Sequence, residues 1–292
     1  MYRHHKSPPP HRPPALGARG LVLLVTLLTA VLAPCAAQAE TPRELAEQII
    51  EHSGFSQQIA QIPALLQQQL AAMERDESTP AEVKALVSKM LLDAFEAKRL
   101  RADTITILLE QDAHPERMKQ VLAFLDSDLG KRLTALEVAA GTPEGQLAIR
   151  DYAAGLAEKP PVESRVILIA RLERVTLSSA LAVEMTAAMV EAMFRGLSAA
   201  RPKDEALTEE QIMGVSDQVR QRLAPRMLQI SLITMHYTYL ELSDAELEQA
   251  LTFYGSDVGQ WYVQAMAASF LGALSDSMER AATGIHEKFN EA

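Results

Sequence analysis

The sequence predicts an all-α fold. Helix-start signals recur along the chain. The runs between them are rich in Ala, Leu, Gln, Glu and Met, which favour helix. No useful stretch alternates apolar and polar residues with the period of two that a half-buried strand needs. Of the 292 residues, the first 39 read as a leader, and the 253 that follow are enough for two helical units.

The leader comes first. Arg3, Lys6, Arg12 and Arg19 precede the apolar run Leu21 to Leu32, and Ala37-Gln38-Ala39 follows. A basic segment, a short apolar segment and an A-x-A site together predict a secretory signal peptide, cleaved after Ala39. A lipoprotein reading centres on Cys35, but Pro34 stands where that signal wants Gly, Ala or Ser. An uncleaved anchor would need roughly 20 apolar residues, and this run is shorter. Thr176 to Phe194 is apolar but carries Glu184 and Glu191. The expected product is periplasmic or secreted, with no stable membrane insertion. Cys35 is the only Cys, so the mature chain would hold no disulfide and no Cys-ligated metal.

Removing the leader takes away four of the 28 basic residues and none of the 38 acidic ones, so the net charge moves from −10 to −14. Such a balance opposes nucleic acid, whose phosphates require a basic surface, and opposes anionic lipid.

Thr41-Pro42-Arg43-Glu44 is a capping box with Pro at the first helical position. Thr79-Pro80-Ala81-Glu82 repeats it, Thr142-Pro143-Glu144 is a weaker form, and Ser243-Asp244-Ala245-Glu246 is a full box. Pro160-Pro161 divides the chain into a first unit, 40–159, and a second, 162–292. Pro225, flanked by Arg220, Arg222 and Arg226, is expected to kink or restart its helix. The three arginines read as a solvated face.

A motif occurs once in each unit. Leu122 to Lys131 matches Leu251 to Gln260 at a constant offset of 129, and Met118, Val121 and Leu133 fall on Leu247, Ala250 and Tyr262. This predicts two tandem helical-bundle repeats related by internal duplication. Apolar residues keep helical spacing before and after Ser127 and Ser256, and the period breaks at each Ser. Each Ser is therefore expected to cap a second helix at a tight corner. Asp128 and Asp257 would complement the helix dipole. Gly130 and Gly259 sit where a Cβ would clash with a neighbouring helix. Phe124 and Phe253 would fill the insides of the corners. Asp126 and Asp128 form a D-x-D, but Gly255 replaces the first Asp in the second copy, so the motif reads as structural and not as a metal site.

The stretch Leu242 to Gln260 resembles the hallmark of a bacterial envelope family, domain of unknown function 2059, whose pattern runs from an acidic capped helix into F-Y-x-S-x-x-G-[QK]. The first copy matches in part, with Leu125 in place of the Tyr. The resemblance implies an exported helical protein and implies no reaction.

Catalytic and metal signatures are absent. His52, His114, His236 and His286 show no i+3 or i+4 pairing, and the mature chain contains no H-E-x-x-H, G-x-S-x-G, S-x-x-K, Walker loop or G-x-G-x-x-G. Met185, Met189 and Met193 share a helical stripe that reads as core packing before it reads as a Cu(I) ladder. No catalytic residue, metal or cofactor is assigned.

Met227 to Glu279 stands out. It contains no Lys or Arg, seven acids, and seven aromatics including Tyr237, Tyr254, Trp261 and Tyr262. Tyr and Trp combine apolar area with a polar tip, and an acidic rim favours a cationic protein or peptide. The sequence therefore favours a non-enzymatic interaction or envelope-associated protein, with Tyr237, Tyr254, Trp261 and Tyr262 as the candidate binding surface. A carrier of an apolar ligand held between helices is the alternative, and a hydrolase the third reading.

Overall fold

The computed structural model describes residues 40–73, 81–199 and 206–291, all within the unit Glu40–Ala292. The leader, Cys35, the predicted cleavage point and the Thr79-Pro80 start signal lie outside the described residues. Twelve helices and no strand occur among the described residues, so the fold is all-α. They are α1 (Pro42–His52), α2 (Phe55–Met73), α3 (Ala81–Ala94), α4 (Ala97–Glu110), α5 (Pro115–Leu125), α6 (Asp128–Gly141), α7 (Pro143–Gly155), α8 (Glu163–Thr176), α9 (Ser178–Ala199), α10 (Glu209–Thr238), α11 (Asp244–Tyr254) and α12 (Asp257–Glu291).

Local chemistry starts many of them. Thr41 and Ser243 form reciprocal capping boxes with Glu44 and Glu246. Thr208 forms a third with Gln211 at the head of α10, a signal the sequence reading passed over. Thr142 caps α7 by accepting from the Gly145 amide at 3.1 Å. Of the two outcomes expected at Pro225, a restart does not occur: α10 runs through it from Glu209 to Thr238. A Pro inside a helix costs about 3 kcal/mol. Packing of α10 on α9 over a long stretch offsets that loss.

The two motif corners are built alike. Ser127 Oγ accepts from the Gly130 amide at 3.0 Å and donates to the Phe124 carbonyl at 2.6 Å. Ser256 Oγ accepts from the Gly259 amide at 3.1 Å and donates to the Phe253 carbonyl at 2.7 Å. The glycines have a specific cause. A Cβ on Gly130 would lie 2.1 Å from the Phe124 carbonyl oxygen, and one on Gly259 would lie 2.0 Å from that of Phe253. The Thr142 corner has the same construction, with 2.2 Å from Gly145 to the Ala139 carbonyl. Three corners thus follow one rule: a hydroxyl cap, then Gly three residues on, where the preceding helix's backbone leaves no room for a side chain.

Helix α1 packs on α5 as α8 packs on α11. Helix α12 then runs along α4, α9 and α3, deep into the first half of the sequence. Each of the three apolar cores among the described residues consequently draws on both sides of Pro160-Pro161. One joins Leu45, Ile49, Ile105 and Met118 to Ala265 and Met266. A second joins Leu133 to Leu168, Ile169, Leu172 and Leu247. The third joins Ile59, Phe95 and Leu100 to Phe270 and Leu274. Phe124 and Phe253 lie between the first two cores, their rings stacked with centroids 3.7 Å apart and planes 6° from parallel.

Candidate functional site

The four aromatic residues singled out from the sequence do not form one surface. Trp261, near the start of α12, packs on the first core. Its indole N–H donates to the Gln111 carbonyl at 2.7 Å, and the Arg117 guanidinium lies 5.4 Å from the ring centroid. These contacts fasten α12 to the α4–α5 turn. Tyr237 sits on α10 against Tyr152, with centroids 5.9 Å apart. Tyr254 and Tyr262, by contrast, reach a common cleft.

That cleft encloses about 570 Å³ among α2, α6, α9, α10 and α12. Its walls include Leu181 and Ala182 of α9, Met227, Ile230 and Met235 of α10, and Val263, Met266 and Ala267 of α12. Gln57, Gln58 and Gln61 of α2 lie on another side, with Gln146 of α7. A volume of this size with a mainly apolar surface suits a small-molecule site, and Gln, Ser and Thr side chains make up much of the rest of the lining.

The polar centre is Glu137 of α6, ringed by Tyr239, Tyr254 and Tyr262. Tyr239 Oη donates to Glu137 Oε1 at 2.7 Å. Burial raises the Glu137 carboxyl above the ordinary carboxylate range, and the Tyr239 hydrogen bond only partly opposes this. Burial likewise pushes the hydroxyls of Tyr239, Tyr254 and Tyr262 up, and the negative charge of Glu137 adds to each shift. The Arg165 guanidinium donates to the Tyr239 backbone carbonyl and to Asp244 Oδ1, the latter at 2.9 Å, and so holds the end of α10 against α8 and α11.

Glu137 was not singled out from the sequence. Its signal is register: it falls four residues after Leu133 and three before Ala140, both buried, so an acid lies on the inward stripe of α6.

Three of the seven acids expected to rim the aromatics are paired within the molecule. Arg132, Arg165 and Arg171 pair with Glu246 at 2.6 Å, Asp244 at 2.9 Å and Glu248 at 3.0 Å. Of the basic cluster near Pro225, Arg220 bridges Glu184 of α9 at 3.0 Å and Asp217 at 2.9 Å. Met185 and Met189 line a separate cleft of about 560 Å³ with Met278, while the side chain of Met193 lies outside those described. Burial, and then the Arg165 charge, lower the pKa of His236. Among the described residues, no three His, Cys, Asp or Glu side chains are placed to hold a metal ion, and no helix is long and apolar enough to cross a membrane.

No protein-family model, no curated protein and no solved structure matches the chain.

Proposed function

We propose that this chain is an exported helical binding protein that takes an apolar small molecule into the cleft around Glu137, without catalysing a reaction. The carrying observation is the cleft itself: about 570 Å³, walled by Leu, Ile, Met, Val and Ala side chains from three helices, with one carboxyl and three tyrosines converging on it. Export rests on the leader and on the resemblance of Leu242 to Gln260 to an envelope family. An origin by internal duplication draws support from the two corners, whose hydrogen bonds and close glycine approaches correspond one for one.

Recognition of a cationic protein through an aromatic, acidic face has weaker support. Trp261 and Tyr254 are engaged in internal packing, and three acids of α11 already have arginine partners.

The test is binding of N-phenyl-1-naphthylamine, a neutral apolar fluorophore that brightens on leaving water. The wild-type protein is expected to enhance its emission saturably, and dodecanol to displace it. Ala182→Trp, which places an indole in the cleft, is expected to abolish the enhancement with helicity unchanged by circular dichroism. Equal enhancement by that variant, or none by the wild type, would defeat the proposal.

A further inference from the structure

We infer that the cleft selects a lipophilic organic cation, an apolar body carrying an ammonium head that docks on Glu137. This deepens the cleft reading and rests on it. Three observations carry it. Among the described residues that line the cleft, Glu137 is the only one with a charged side chain, and none is Lys, Arg or His. Among the described residues, only the Tyr239 hydroxyl hydrogen-bonds the carboxyl, and it takes Oε1. No basic side chain of the described residues forms an ion pair with Glu137, although many carboxylates elsewhere in the molecule have one.

A carboxyl placed this way carries a desolvation cost that no protein cation relieves. An ammonium brought in by a ligand supplies the missing charge and N–H donors directed at the carboxylate. Charge-assisted hydrogen bonds of this kind are roughly twice as strong as neutral ones. Tyr239, Tyr254 and Tyr262 line the cleft with the acid. A hydroxyl accepts as well as donates, so they offer further acceptors to the N–H groups of an ammonium. A carboxylate-headed ligand meets the reverse situation, with no cation to receive it and one acid to repel it. The net charge of −14 expected after loss of the leader raises the local concentration of cations and lowers that of anions.

The experiment holds the apolar body constant and varies the head. Dodecylamine, dodecanol and dodecanoate are titrated below their aggregation concentrations, at pH 7.5, as competitors of N-phenyl-1-naphthylamine on the whole mature protein. Dodecylamine is expected to bind about tenfold more tightly than dodecanol, the ratio that one charge-assisted contact confers, and dodecanoate to bind most weakly. Glu137→Gln keeps the size of the side chain and an acceptor for Tyr239. It is expected to abolish the preference, so that dodecylamine and dodecanol compete equally on the variant. Dodecanol equal to dodecylamine on the wild-type protein would overturn the cation assignment and leave the cleft reading standing, as would an amine preference that survives Glu137→Gln. Failure of all three compounds to compete would remove both. If Glu137→Gln does not fold, the ranking of the three heads on the wild-type protein decides alone.

Discussion

Two residues show how far a single side chain determines behaviour here. Ser256 makes two hydrogen bonds with one hydroxyl, accepting from an amide of α12 and donating to the last turn of α11. Ser256→Ala is expected to cost about 1 kcal/mol of stability, read as a lower urea midpoint with helicity retained; an unchanged midpoint would show that the cap contributes nothing. Glu137 behaves in the opposite sense. Its folded-state carboxyl is raised, so the folded chain holds more protons than the unfolded one above the ordinary Glu range. Its contribution is therefore most favourable at acidic pH and is lost as pH rises through the raised value. Glu137→Gln should match the wild type in stability near pH 4 and exceed it at pH 8. The groups facing Glu137 are Tyr239, Tyr254 and Tyr262, whose hydroxyls are pushed up and do not titrate in that window. Urea midpoints of both proteins across this range check the claim, and a pH-independent difference would contradict it. The caps were legible in the sequence because each is a contact three residues long. Glu137 was not, because its partner Tyr239 is 102 residues away and nothing nearby distinguishes it from the other acids.

At the level of elements, the corners set what substitution can do. Gly130 and Gly259 look like ordinary helix-interior glycines, where Ala should stabilise by about 1 kcal/mol. Close approach of the preceding carbonyl reverses that sign. Gly259→Ala is expected to destabilise by about 2 kcal/mol, as forced overpacking does. Gly214→Ala in α10 has nothing within 4 Å of the added Cβ, and should stabilise by about 0.5–1 kcal/mol. Thermal midpoints of the two variants should move in opposite directions. The sequence placed both corner glycines correctly, because a break in apolar period beside a Ser marks a corner. It left a restart of α10 open at Pro225, because a local rule for Pro carries no information about the α9 surface on which the helix packs.

Across residues 40–292, connectivity and packing diverge. Pro160-Pro161 is the clearest punctuation in the sequence, yet every core crosses it. The 35-residue α12 causes this. In the first half, the helix after the corner ends at Gly141 and restarts at Pro143; in the second, it continues to Glu291 and reaches α3 and α4. No period or motif in α12 announces where it will lie, so the mixing of the halves could not be read from the sequence. Shared cores imply one cooperative unfolding transition. Far-ultraviolet circular dichroism and the emission of Trp261 should give superimposable urea curves. Two separated transitions would mean that the halves hold together independently.

The walls around Glu137 come from α2, α6 and α7 on one side of the double proline and from α8 to α12 on the other. Any molecule lodged there acts as a rivet across both parts of the polypeptide, and release of that molecule and loosening of the architecture become two views of one equilibrium. At a hundredfold excess over its dissociation constant, such a guest would add about 2.7 kcal/mol to the resistance of the whole assembly to unfolding. Cargo and scaffold would then be interdependent, and the emptied protein would be the more perishable form.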